Sequence, residues 1–70
     1  MVVRTLSVDY VKSGKVLTIC IADNINGSIK IVHTDNIFNK SEKQAIELCK
    51  QFYKKFDCDK IISEDLEISF

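Results

Sequence analysis

Five carboxylates, Asp9, Asp59, Glu64, Asp65 and Glu67, and four softer groups, Cys20, His33, Cys49 and Cys58, are the side chains whose types and spacing could do chemistry. Two carboxylates on neighbouring strands can hold Mg²⁺ for work on a phosphodiester. The same acids, left without metal, can form a docking face for a basic groove, where complementary charge speeds encounter. At a sheet edge they can also do no more than block strand-to-strand aggregation. The soft groups offer less. Tetrahedral zinc needs four converging ligands, and Cys20 and His33 fall on opposite faces of the sheet derived below. Cys49 lies on an apolar helical stripe, Cys58 just beyond it, and no cysteine is spaced to meet a base that would activate it.

These groups are positioned by a short series of elements. "VVRTLSVDYV" alternates, with Val2, Leu6, Val8 and Tyr10 on one side and Thr5, Ser7 and Asp9 on the other, which is the period of a half-buried strand. Ser13-Gly14 offers a hairpin turn into "VLTICIAD". That turn sets Tyr10 against Leu17, Val8 against Ile19, Leu6 against Ile21, and Arg4 against Asp23. A one-residue slip loses every match. For the third strand, "GSIKIVHTD", a three-residue loop Ile25-Asn26-Gly27 is expected. It pairs Ile21 with Ile31 and Ile19 with His33, and turns the isoleucines inward. "SEKQ" is a capping box starting a helix at Ser41. Ala45, Leu48, Cys49, Phe52, Tyr53 and Phe56 form its apolar stripe, and it should end near Asp57. The closing "IISEDLEISF" alternates again. Ile62, Leu66, Ile68 and Phe70 are expected inward, with Glu64 interrupting. Ile61, Ser63, Asp65, Glu67 and Ser69 are expected outward.

The expected fold is therefore a single α+β domain over residues 1–70. It is a two-layer sandwich of order β-β-β-α-β, with a four-stranded, mostly antiparallel sheet ordered 4-1-2-3 and one helix on one face. The uncovered face should carry Thr5, Ser7, Asp9, Thr18, Cys20, Lys30, Val32, Thr34, Ser63, Asp65 and Glu67. This order resembles the first half of an RNase H-like fold, with "LSVDY" and "IISEDLEI" at the places of that family's acidic ligands. The resemblance implies metal-binding roles for Asp9 and for Glu64 or Asp65. The family's second half and its later acid have no counterpart in the chain.

Composition narrows the functional classes. Ten Lys/Arg balance ten Asp/Glu, so no global field draws the chain to nucleic acid or membrane. The charge is unevenly spread. Residues 1–56 carry nine basic and five acidic side chains, while residues 57–70 carry one and five, giving +4 and −4. Lys43, Lys50, Lys54 and Lys55 form a basic helix stripe broken by Glu47, with the aromatics taken by the core, so nucleic-acid binding is disfavoured. No apolar run spans a bilayer and the first residues are not a signal peptide. Three cysteines without a C-x-x-C pair suggest reduced thiols and a cytoplasmic location. A chain of this length buries only about 60% of its unfolded surface, so association would help it. The favoured expectation is a non-enzymatic protein-binding module without cofactor or metal. Its acids Asp9, Asp59, Glu64, Asp65 and Glu67 would contact another protein with a basic, nucleic-acid-binding groove. Such a module would suit a phage or mobile-element inhibitor of a nucleic-acid-processing or defence enzyme, such as a CRISPR effector. The alternatives are a truncated RNase H-like, Mg²⁺-dependent nuclease remnant and a structural homodimer.

Overall fold

Alternation in the first 37 residues builds three long strands, and a computed structural model describes residues 1–70 in full. Strands β1 (Val2–Val11), β2 (Val16–Ile25) and β3 (Ser28–Ile37) form an antiparallel meander. Helix α1 (Glu42–Lys55) returns the chain, and β4 (Lys60–Ser63) pairs parallel to β1. The sheet order is β3-β2-β1-β4, which is the expected 4-1-2-3 read from the other side. The core lies between α1 and one sheet face, built on Leu6, Val8, Tyr10, Leu17, Ile19, Ile21, Ala45 and Cys49.

The β1–β2 register is the expected one, with Leu6 opposite Ile21, Val8 opposite Ile19 and Arg4 opposite Asp23. The turn differs. Val11 and Val16 are the last pair, and Lys12–Lys15 form a four-residue loop. Lys15, at φ 52, takes the left-handed position instead of Gly14. A four-residue loop between Val11 and Val16 serves the same register as the expected two-residue one.

The β2–β3 register departs further. Ile25 faces Ser28, so the turn is the two-residue Asn26-Gly27, with both residues at positive φ. The Asn24 side chain accepts a hydrogen bond from Gly27 N at 2.9 Å. Val32 is then left out of the ladder as a bulge, with Ala22 opposite Ile31 and Ile21 opposite His33. Ile29 and Ile31 consequently lie on the uncovered face. The expected inward placement fails because no core exists at the hairpin tip to receive them. A 14-residue helix is about 21 Å long, whereas a ten-residue strand reaches about 33 Å. The tip projects beyond the helix, and the molecule measures 37 × 21 × 19 Å.

Helix α1 begins with the expected capping box. Ser41 Oγ accepts from Gln44 N at 3.2 Å, and Gln44 Oε1 accepts from Ser41 N at 3.0 Å. It ends in a Schellman arrangement, with Asp57 left-handed at φ 53, Cys58 N donating to Tyr53 O and Asp57 N donating to Lys54 O.

The last strand is the largest correction. It stops at Ser63, and its phase is opposite to the expected one. Ile61 pairs with Leu6 on the helix side, while Ile62 pairs with Ser7 on the uncovered face and is half exposed. The phase is set one residue earlier. Asp59 N donates to Arg4 O and Asp59 Oδ2 accepts from Arg4 N, both at 2.8 Å. Past Ser63 the chain leaves the sheet through a turn, in which the Ser63 hydroxyl accepts from Leu66 N and donates to Leu66 O. Leaving there keeps Asp65, the next residue due on the helix side in this phase, out of an apolar layer, where an unpaired charge is costly. The alternation beyond it still serves packing. Leu66 enters the core, Ile68 lies against it, and the Phe70 ring meets Tyr53 at 4.6 Å.

Candidate interaction surface

The residues expected to act together are dispersed. Asp9 is exposed on β1 and points to the uncovered face. Asp59 is taken up by the Arg4 backbone. Asp65 lies beyond the end of β4, its Oδ2 accepting from Tyr10 N at 3.4 Å. Glu64 and Glu67 are exposed in the C-terminal segment. Asp65 and Glu67 therefore do not share a strand face with Asp9, and the acidic sheet face does not form. Neither do Lys30, Val32 and Ser63 belong to that face. Lys30 pairs with Asp23 and Ser63 with Val8, both on the helix side, and Val32 is the bulge. No group of three or more His, Cys, Asp or Glu side chains is placed to hold a metal.

The best-organised polar cluster serves the fold. Arg4 Nε and Nη2 donate to the two oxygens of Asp23 at 2.7 and 3.0 Å, and Nη1 donates to Phe56 O at 2.8 Å. One guanidinium thus ties β1 to β2 and to the free carbonyls at the helix end, where positive charge is favoured. Asp23 is 8% exposed. The Arg4 hydrogen bonds hold its carboxyl below the usual aspartate range, against the opposing effect of burial. Asp23 in turn raises the Arg4 guanidinium further. Two of the thiols are suppressed. Burial pushes Cys49 up to about 11, and burial raises Cys58 while nearby Arg4 pulls it partly back. Cys20 is partly exposed on the uncovered face and His33 stacks on Phe52 and Phe56 on the helix side, so they sit on opposite faces as expected.

What remains is the uncovered face itself. It presents Val3, Thr5, Ser7, Asp9 and Val11 from β1, and Val16, Thr18, Cys20, Ala22 and Asn24 from β2. Ile29, Ile31, Thr34 and Asn36 come from β3, and Lys60 and Ile62 from β4. Asp9 and Lys60 are its only charges, in a chain of which 29% is charged. Thr18 donates to Asn36 Oδ1 at 2.8 Å across the face, beside a shallow depression that also takes in Cys20 and Thr34. The apolar side chains gather at the projecting tip. There Ile29 is 63% and Ile31 56% exposed, and Val2 and Ile25 are uncovered on the reverse side. Sequence reasoning placed Ile29 and Ile31 in the core. The available signal was the mismatch between helix length and strand length.

No helix is long and apolar enough to cross a membrane. No family model matches the chain, and no curated protein or solved structure is detectably similar to it.

Proposed function

We propose that this chain is a non-enzymatic protein-binding module that docks through the uncovered sheet face and its apolar tip. The observation that carries the reading is the exposure of Ile29 and Ile31 at the projecting end of the uncovered face, which holds only two charges. Contiguous apolar surface on a small soluble domain commonly marks a contact site. Its partner would be a protein with an apolar, weakly charged surface at the contact, because burying unpaired charge against this face is costly.

A second reading rests on the acids. Residues 57–70 carry a net charge of −4, and Glu64 and Glu67 are both exposed in the C-terminal segment. That supports docking on a basic groove, the form an inhibitor of a nucleic-acid-processing or defence enzyme would take. One experiment separates the two. The immobilised wild type is compared with Ile29→Lys/Ile31→Lys and with Glu64→Lys/Glu67→Lys in a nuclease-treated lysate. Asp65 is left in place because it bonds to the β1 backbone. Loss of a specific protein from the first variant alone supports the apolar face, and loss from the second alone supports the acids. Retention by both overturns both.

A further inference from the structure

We infer that β3 pairs with β3 of a second copy of this chain about a two-fold axis between Val32 and His33, giving a continuous eight-stranded sheet. The β3 edge is free. It lies at one end of the sheet order, and every backbone hydrogen bond outside the helix and strand ladders involves other segments. It is also ten residues long, whereas the opposite edge is four residues long and ends in the Ser63–Leu66 turn.

The register follows from the bulge. Strands paired about a two-fold must bring like faces together. Before the bulge, Ser28 and Lys30 lie on the helix side and Ile29 and Ile31 on the uncovered side; after it, His33, Asp35 and Ile37 lie on the helix side and Thr34 and Asn36 on the uncovered side. In an unbroken strand, residues of odd and even number would lie on opposite faces. The extra residue reverses that relation between the two halves. An axis between Val32 and His33 then sets Ser28 opposite Ile37, Ile29 opposite Asn36, Lys30 opposite Asp35 and Ile31 opposite Thr34. Every one of these pairs shares a face. Moving the axis by one residue along the strand reduces the overlap and puts Lys30 against His33 or Ile37.

Charge agrees with face. Lys30 and Asp35 are the only charged side chains of β3 apart from His33 should it take a proton, and both are on the helix side. The two-fold brings each against its opposite twice. In a single chain Asp35 meets only His33, at 4.0 Å, and Lys30 lies beside the already bonded Asp23. The pairing also merges the two uncovered faces into one. It adds structure to a monomer in which only 11 of 70 residues are buried, where association is a common source of stability.

The test uses charge exchange. Asp35→Lys places lysine against Lys30 twice, and Lys30→Glu places glutamate against Asp35 twice. Each variant should lose dimer affinity by about tenfold or more. Mixing them restores both opposite-charge pairs. In sedimentation equilibrium, the wild type should run at twice the 8.0 kDa monomer mass, each variant should shift toward the monomer, and the equimolar mixture should return to the dimer. Circular dichroism checks that each variant is folded. If Lys30→Glu disturbs Asp23 and fails to fold, Asp35→Lys against Asp35→Asn still distinguishes repulsion from loss of the strand. A wild type that stays monomeric to millimolar concentration overturns the inference, as does a dimer indifferent to both substitutions.

Discussion

The two edges of this sheet are built on opposite principles. At the β4 edge, only four residues pair, and the following segment turns off the sheet to place Leu66 in the core and Phe70 on Tyr53. At the β3 edge, ten residues run to the end of a projecting hairpin with no segment over them. The first edge is short and leads into a segment that buries Leu66, and the second is long and leaves Ile29 and Ile31 exposed. The contrast shows that the acidic terminal segment contributes mainly by what alternates with its acids. Leu66 and Ile68 of this segment pack on the core, whereas Ile29 and Ile31 at the other edge stay exposed.

The sharpest way to break this comparison is to substitute equivalent apolar residues at the two edges. Leu66, 4% exposed, should cost about 3 kcal/mol as Leu66→Ala in urea unfolding, because a buried cavity is left. Ile31→Ala should stay within about 0.5 kcal/mol in the same assay at a concentration that keeps the chain monomeric. Equal costs would mean the β3 tip is covered in solution.

Acid should open the Arg4–Asp23 tie next. The folded-state pKa of Asp23 is depressed by Arg4, so its contribution is fully present above the ordinary aspartate value. It is lost as the pH falls from about 4 toward the lower folded value. Melting temperature followed from neutral pH to pH of about 2 should drop, and Asp23→Asn should be less stable at neutral pH with a shallower acid slope. An unchanged slope would remove Asp23 from the linkage. A smaller loss, about 1 kcal/mol, is expected for Asp59→Ala, which removes one hydrogen bond to Arg4 N but leaves the backbone bond to Arg4 O.

The smallest effect concerns the thiols. Cys20→Ser on the uncovered face should leave stability nearly unchanged. A thiol reagent should label Cys20 in the native protein, and Cys49 and Cys58 only after denaturation, since both are buried with raised pKa values. Rapid native labelling of Cys49 would mean that the helix opens from the sheet.

Legibility in the sequence followed the density of constraint. The β1–β2 register could be read because three apolar pairs and one ion pair, Arg4 with Asp23, agree on it at once. The capping box could be read because it is local. β3 could not be read by the same reasoning, because inward isoleucines are favoured only where a helix covers them. The bulge at Val32 trades a ladder position for the placement of His33 on Phe52 and Phe56. β4 was misphased because alternation does not say which face it serves. The pair of hydrogen bonds between Asp59 and Arg4, 55 residues apart, decides that. The candidate surface was therefore drawn from acids that the structure scatters, while its apolar tip was assigned to the core.

The place of β1 between β2 and β4 also bears on time. Its Arg4 is tied to Asp23, Phe56 and Asp59, so this strand is completed by residues made well after it. During synthesis, the β1–β2–β3 meander would emerge with its inner apolar face bare until α1 and Asp59 have left the ribosome. Closure over such sequence distances is slow relative to local pairing. A released chain truncated before Asp59 should thus remain sensitive to protease, and one ending a few residues beyond Leu66 should become resistant in a single step.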